Sequence, residues 1–471
     1  MKPAALGLIG LGTMGRNLGL NAAEHGFPVC AWARKPEQME RFRSEGPDLD
    51  LRAAASLPAL VAALERPRRI LLMVTAGAAV DEVIAQLAPL LEPGDILIDG
   101  GNSHFADTRR REAALRARGL EFMGVGISGG EEGARRGPSV MPGGTVEAWQ
   151  RTRPLFEAIA ARSPLGVCVT HVGPDGAGHF VKMVHNGIEY ADLQFLAEAY
   201  DLMSRGCGMR AGDVAAVFAE WNRGELESFL VELAARVLAV VDGETGRPLV
   251  ELVLDQAEQK GTGRWTVQAA LELGVPVPCI TAGVDARALS SRKGERVQAA
   301  RKLPVDVTGR PPARALFLNA LRDALLCARV CAYAQGLDLI GAGSRAYGWN
   351  IDTSEMARIW TGGCIIRARL LVPIREAFRR RPDLPHLLLD ADIGARAAAA
   401  QGGLRAALQA ATALGLPAGA MSAALGYFDA YRSERLPLNL TQAMRDAFGS
   451  HGYVRADLPA RGPQHSSWGP M

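Results

Sequence analysis

The feature that most limits what this chain can become lies in its first residues. Ala4 to Ile9 reads as an apolar strand, Gly10-Leu-Gly12-Thr-Met-Gly15 follows at once, and Arg16 to Glu24 continues as a helix. Glycines at that spacing allow a tight turn and let backbone N–H groups approach a pyrophosphate at a helix N-terminus. The glycine pattern alone is weak; strand before and helix after supply the context it needs. The second strand, Pro28 to Ala33, ends without the Asp or Glu that would hold a ribose 2′-hydroxyl, and Arg34 and Lys35 follow. Two cations there suit a 2′-phosphate and favour NADP over NAD; an ordinary basic loop is the plainer alternative.

Further strand-like segments at Ile70–Val74, Asp95–Asp99, Glu121–Ile127 and Val167–Val172 alternate with helical stretches through roughly residue 178. That alternation predicts a mainly parallel, doubly wound sheet. The loops Thr75-Ala-Gly77, Gly100-Gly-Asn102-Ser103 and Ser128-Gly-Gly130 follow its strands and are expected to face a ligand. Ser128 to Gly144 is unusually rich in glycine for a surface loop. It either closes main-chain donors on a ligand or serves as a flexible connector.

Next comes His179-Phe-Val-Lys-Met-Val-His-Asn-Gly-Ile-Glu-Tyr190. At helical pitch Lys182, His185, Asn186 and Glu189 fall within about a 100° arc, while Phe180, Val184 and Ile188 form an apolar stripe. A base, an acid and two hydrogen-bonding groups then face one point. A solvated polar face is the alternative that spacing alone favours. Lysine usage weighs against it: of 53 Lys plus Arg only Lys2, Lys35, Lys182, Lys260, Lys293 and Lys302 are lysine. A lysine here is seldom an arbitrary surface cation.

From His179 to about Glu434 the chain is rich in Ala, Leu and Arg, with helical periodicity. Leu273-Gly-Val-Pro276 returns as Leu414-Gly-Leu-Pro417, Ile280-Thr-Ala282 as Met421-Ser-Ala423, and Trp221-Asn-Arg-Gly224 as Trp360-Thr-Gly-Gly363, at an offset of roughly 140. The echo predicts a duplicated helical unit. Between its halves, Gln259-Lys-Gly-Thr-Gly-Arg264 and Arg287 suit either a phosphate or a solvated turn. Beyond Arg435 the tail has too few apolar positions for its own core, so it is frayed or packed against something else, another subunit included.

Composition excludes several function classes. A net charge of +3 is too small to argue for nucleic acid or an anionic membrane surface. No apolar run approaches a membrane span, and the N-terminus runs directly into a strand without a signal-peptide pattern. The 7 scattered cysteines, with no CxxC pair, predict reduced thiols in a cytoplasmic protein, with Cys327 and Cys331 in the core.

Several ordered strings resemble one family, the decarboxylating 6-phosphogluconate dehydrogenases, over almost the whole length. They are Gly10 to Leu18, Ile98-Asp-Gly-Gly-Asn-Ser103, Ser128 to Gly144, Gly176 to Tyr190, Gln259 to Thr266, Gly362-Gly-Cys-Ile-Ile-Arg367 and Gln442 to His451. The resemblance implies a Rossmann domain (1–178), an all-helical domain with internal duplication (179–434) and a tail (435–471) that threads a partner subunit. It implies oxidation of 6-phosphogluconate by NADP with loss of CO₂, giving ribulose 5-phosphate in the pentose phosphate pathway. Lys182 becomes the general base and Glu189 the acid. Asn102, Ser128, Gly129, Gly130, His185, Asn186 and Tyr190 are assigned to substrate. Lys260, Thr262 and Arg287 are assigned to its phosphate, with Arg445 and His451 from the partner's tail. Gly10, Leu11, Gly12, Thr13, Met14, Gly15, Ala33, Arg34, Lys35, Val74, Thr75, Ala76 and Asn102 are assigned to NADP.

The chain departs from the family pattern in places. Thr75 stands for a common lysine, Ala33 for an asparagine, Lys35 for a threonine and Arg264 for a lysine, and the tail stops soon after Trp468. The first three bear on cofactor affinity and on the NADP/NAD ratio.

A free lysine titrates near about 10.4, so the base needs burial and a nearby cationic nicotinamide to be neutral. No carboxylate cluster of hard-metal spacing accompanies it, which predicts metal-independent decarboxylation. Rival readings are a shorter β-hydroxyacid dehydrogenase, which would lack the Lys260 loop, Arg287 and the Arg445/His451 tail, and a non-catalytic NADP-binding redox sensor, which would lose Lys182 or Glu189.

Overall fold

The computed structural model describes residues 2–259, 261–309 and 313–469. Its first domain alternates strand and helix: β1 (Leu6–Ile9), α1 (Thr13–Glu24), β2 (Val29–Trp32), α2 (Pro36–Ser44), β3 (Leu51–Ala53), α3 (Leu57–Ala62) and β4 (Arg69–Leu72). It continues through α4 (Ala78–Leu87), β5 (Ile96–Asp99), α5 (Phe105–Arg116), β6 (Glu121–Ser128), α6 (Gly130–Arg136), β7 (Ser139–Pro142) and α7 (Val146–Ile159). The seven-stranded sheet has the order β3-β2-β1-β4-β5-β6-β7. Every pairing is parallel except that of β6 with β7. Strands buried on both faces need apolar side chains in both directions. Leu6 and Leu8 accordingly join one core with Ile98 and Val125, while Ile9 joins the other with Ile70, Leu72 and Leu97.

Two expectations fail in this domain. Val167–Val172 is not a sheet strand: only Gly166–Val167 (β9) pairs, with Arg162–Ser163 (β8), and beyond it lie isolated bridges from Val169 to Val140 and from Gly173 to Gly143. The Val169 N–H turns back to the Val167 carbonyl at 2.9 Å, a tight turn that interrupts the extended run. The Ser128–Gly144 stretch is no surface loop either. It holds α6 and the fully buried strand β7, which pairs Ser139 with Ser128 and Val140 with Ile127. Glycines at its turns masked a short strand whose partner residues, from Ser128 back to Val125, lie close behind it in the chain.

The second region is helical. Its first half contains α8 (Ala177–Asp201), α9 (Ala211–Trp221), α10 (Phe229–Leu238), α11 (Thr262–Glu272), α12 (Pro278–Ser290) and α13 (Lys293–Lys302). Its second half contains α14 (Arg314–Tyr347), α15 (Thr353–Ile359), α16 (Leu371–Arg380), α17 (Ala391–Leu414) and α18 (Gly419–Tyr431). The echo strings occupy matching places. Gly274 and Gly415 both end a helix in the left-handed region, with φ of +68° and +64°, and in both the next residue's N–H returns five positions at 2.8 Å, Val275 to Ala270 and Leu416 to Ala411. Trp221 and Trp360 both close short helices, and the segments after them meet at the Ser228–Ala368 bridge. Cys327 and Cys331 are buried in α14, and all seven cysteines are free. Among the described residues no helix is long and apolar enough to cross a membrane.

Residues 425–471 cluster as a separate compact unit. It contains α19 (Leu438–Gly449) and a two-stranded pair, β10 (Tyr453–Val454) with β11 (Pro463–Gln464). A polar knot replaces the core it cannot build. The Asp446 carboxylate accepts the Gly452 N–H at 2.9 Å, the Trp468 indole N–H at 2.8 Å, the Ser466 N–H at 3.2 Å and His465 Nδ1 at 2.7 Å. Those donors, the Trp468 indole foremost, hold its pKa down to about 2.

Candidate active site

The glycine ridge is shaped for a dinucleotide. Gly12, the N-cap of α1, provides no side-chain cap, so the first N–H groups of that helix stay available. A side chain at Gly12 would meet nothing within 4 Å, which leaves room for a ligand to come close. Leu11 and Gly15 are buried beneath the ridge, Gly10 and Met14 half-buried, and Thr13 exposed. At the end of β2 Ala33 is buried while Arg34 and Lys35 are exposed. Val74 and Ala76 are half-buried after β4, and Thr75 and Asn102 are exposed. These residues fit a dinucleotide laid across the carboxyl ends of the strands.

Asn102 sits on a loop whose support the sequence reading missed. Asp99, fully buried at the end of β5, accepts the Gly101 N–H at 3.0 Å and the Ser103 hydroxyl at 2.6 Å. His104 then stacks edge-on against Trp265 of α11, with centroids 5.1 Å apart. The signal was present in the Asp-Gly-Gly-Asn-Ser string, with Asp99 hidden as an apparent strand residue.

The start of α8 crosses β6 where both chains are stripped to backbone. A methyl on Gly126 would stand 2.5 Å from the Lys182 Cβ. This close crossing buries a face that spacing alone would have left to solvent. Lys182 is 6% exposed, and its Nζ donates to Asn186 Oδ1 at 2.8 Å. The same oxygen lies 3.1 Å from His185 Nδ1, and Asn186 Nδ2 donates to the Thr262 hydroxyl at 3.3 Å. His185 Nε2 meets the Ser128 hydroxyl at 3.2 Å. These partners assign the imidazole proton to Nδ1, leaving Nε2 to accept from Ser128. Glu189 Oε2 is 4.0 Å from His185 Nδ1.

Burial governs the electrostatics here. Desolvation pushes the Lys182 amine below its ordinary range, against the opposing pull of Glu189 and Cys364. His185 falls well below 6.5 through burial first and the neighbouring Lys182 second, so it is neutral. Burial raises Glu189, opposed by Lys182 and Arg287. Burial thus shifts the amine toward its neutral form and the carboxyl toward its protonated form on one helix face, the directions that proton removal and return require.

Tyr190, buried, carries the Arg287 guanidinium 3.5 Å above its ring centre, and Gly263 packs on its other atoms. Arg287 also donates to the Glu258 carbonyl at 3.1 Å. Ser128, Lys182, His185, Asn186 and Thr262 are thus joined in one hydrogen-bonded cluster, with Glu189 beside it and Tyr190 and Arg287 adjoining. Gly129 and Gly130 open α6 next to Ser128, and Gly129 is pressed against the Gly363 carbonyl, where a side chain would collide. Trp360, which closes that wall, meets the His185 ring edge-on at 5.6 Å, a contact the sequence did not reveal. Lys260 lies outside the described residues. Arg445 and His451 are exposed in the 425–471 unit.

A dinucleotide ridge on one domain, and a buried amine, imidazole, amide and carboxyl on the first helix of the next, define the class: a dinucleotide-dependent oxidoreductase with a helical second domain. Comparison with known proteins narrows it. The family model for the NAD binding domain of 6-phosphogluconate dehydrogenase matches residues 5–173, and that for the C-terminal domain of 6-phosphogluconate dehydrogenase matches residues 178–468. The chain belongs to the 6-phosphogluconate dehydrogenase family. It is 50% identical to the decarboxylating 6-phosphogluconate dehydrogenase of Synechococcus elongatus, covering 98% of each chain. It is 46% identical to the NADP(+)-dependent, decarboxylating enzyme of Bacillus subtilis, covering 99% of this chain and 100% of that one. The solved Plasmodium falciparum 6-phosphogluconate dehydrogenase, described in apo form and in complex with NADP+ and with 6-phosphogluconate, is 39% identical with a TM-score of 0.94, covering 98% of this chain and 100% of that one.

Proposed function

We propose that this chain oxidises 6-phosphogluconate with NADP and releases CO₂ and ribulose 5-phosphate. The observation that carries the reading is the buried Lys182–Asn186–His185 cluster with Glu189 beside it, on a chain whose family membership extends from residue 5 to 468. NADP, when bound, accepts the hydride. Lys182, whose burial favours the neutral amine, takes the proton of the C3 hydroxyl. The product is a β-keto acid, and the Lys182 ammonium then faces the new carbonyl oxygen and stabilises the charge that builds as CO₂ leaves. Asn186 and His185 hold the amine in line. Glu189, whose burial favours the protonated carboxyl, delivers a proton to C1 of the enediol. Ser128, Gly129, Gly130 and Asn102 position the sugar acid, and Thr262, Arg287 and Lys260 hold its phosphate.

The test is growth of NADPH absorbance with 6-phosphogluconate, run beside NAD, with CO₂ detection and with unphosphorylated gluconate. Turnover of gluconate at a comparable kcat/KM would sink the phosphate grip. Among the described residues no group of three or more His, Cys, Asp or Glu is placed to hold a metal. Full activity after EDTA treatment is expected; strict magnesium dependence would contradict it.

The reading includes a cytoplasmic homodimer in which Arg445 and His451 complete the partner's phosphate site. Its support is chemical: both side chains are exposed, and Leu440, Met444 and Phe448 of α19, the helix that carries Arg445, stand 63%, 49% and 65% exposed. Mixing the inactive variants Lys182→Met and Arg445→Ala under subunit exchange should restore activity, since a hybrid has one site with both groups intact. No recovery in hybrids confirmed by mass would exclude a crossing tail.

A further inference from the structure

The cation standing where a 2′-phosphate would sit already has an anionic neighbour. Arg34 Nη2 lies 3.2 Å from Glu82 Oε2 on α4, both side chains being well exposed. The placement of Glu82 is not slack. Its neighbour Asp81 accepts Arg111 Nε at 2.9 Å and Nη2 at 3.1 Å, and Arg110 at 3.0 Å. Arg111, 2% exposed, also donates to the Gly77 carbonyl at 3.0 Å, just before α4 begins. The first turn of α4 is therefore bolted to α5, and it presents Glu82 to Arg34 across the mouth of the β2 loop. Thr75 adds a hydroxyl there but no charge. At the phosphate end of the ridge Arg34 is thus already paired with the Glu82 carboxylate, with Lys35 next to it in the chain.

We propose that Glu82 is a specificity-determining residue: its carboxylate competes with the 2′-phosphate of NADP for Arg34 and accepts a hydrogen bond from the free 2′-hydroxyl of NAD, narrowing the preference between them. A phosphate monoester brings a charge of about −1.5 to −2, so its approach to a carboxylate is opposed while that of a hydroxyl is not. The inference rests on the NADP reading of the ridge.

The experiment is calorimetric titration of the full-length protein with 2′,5′-ADP and with 5′-AMP, in wild type, Glu82→Gln and Glu82→Ala. Both variants should bind 2′,5′-ADP about two- to fivefold tighter, the range of an exposed ion pair, with no gain for 5′-AMP. The gain should shrink with added salt, and the kcat/KM ratio of NADP over NAD should rise in step. Unchanged 2′,5′-ADP affinity, or an equal shift for both fragments, would overturn the role of Glu82 while leaving the ridge intact. A wild type that binds neither fragment would overturn the cofactor reading itself, and this inference with it.

Discussion

Two helices of one domain, α8 and α14, open the two halves of the duplication and begin 137 positions apart. They are tied by equivalent residues at that same offset. Arg329 of α14 donates to Asp192 of α8 at 2.7 Å, both buried. Glu198 of α8 accepts the Ala420 and Met421 N–H groups at 2.8 and 2.9 Å, at the start of α18. Gln335 of α14 in turn accepts the Cys279 N–H at 3.0 Å, at the start of α12. The frames match; the chemistry does not. Where α8 carries Lys182, His185, Asn186 and Glu189, α14 carries Asn319, Arg322, Asp323 and Leu326. Asn319 and Arg322 are exposed, and Arg322 pairs with adjacent Asp323 at 3.1 Å. α8 packs closely against β6, where Gly126 meets the base of Lys182. A lysine on the open face of α14 would remain an ordinary protonated amine, because nothing there removes its water.

The widest contrast comes from removing the groups themselves. Lys182→Met should cut hydride transfer by about 10²–10⁴-fold or more while retaining NADP binding, whereas Asn319→Ala changes kcat by less than about twofold. Glu189→Gln should still reduce cofactor in a first turnover but release ribulose 5-phosphate slowly; near-normal steady-state turnover would remove it from the acid role. The same lysine substitution should raise thermal stability. The folded chain sheds the Lys182 proton at lower pH than the unfolded chain does, so its stability climbs as pH rises toward the unfolded lysine value near 10.5. The melting temperature of Lys182→Met should therefore exceed wild type most at the lower end of that window, and the two should converge above it.

The shared joint is next in size. Arg329→Met strands a buried carboxylate and should cost about 3–5 kcal/mol in denaturant unfolding, with much of that recovered by adding Asp192→Leu. A loss below about 1 kcal/mol would show that the pair does not hold the halves together.

The smallest effect is at the caps. Burial raises the Glu198 pKa above 4.5, so the folded chain keeps that proton longer and loses stability as pH rises through the interval between the two values. Glu198→Gln makes the α8 cap like that of α14 and should flatten this slope, changing stability near neutrality by about 1 kcal/mol. An unaltered slope would mean another group titrates there.

Much of the candidate site's arrangement was legible in the sequence alone. Lys182, His185, Asn186 and Glu189 follow from helical period, and the glycine ridge from strand, turn and helix in order. What misled the reading was local. Val167–Val172 has strand composition but is broken by a backbone turn that leaves no mark in hydrophobicity. Ser139–Pro142 is a buried strand that its glycine-rich flanks disguise. Asp99 and Trp360 act by holding neighbours, and residues that act through others carry no motif of their own.

The sequence by itself determined the order of the elements, the dinucleotide ridge, the duplicated halves and which residues share the polar face of α8, because period and turn chemistry are local properties of the chain. The tertiary structure decided that this face is dry. Gly126 brings β6 to the base of Lys182, Thr262 comes 76 positions along the chain to Asn186, and Trp360 arrives from the other half. Desolvation shifts an amine toward its neutral form when its water is displaced from several sides at once, and that depends on segments remote in sequence.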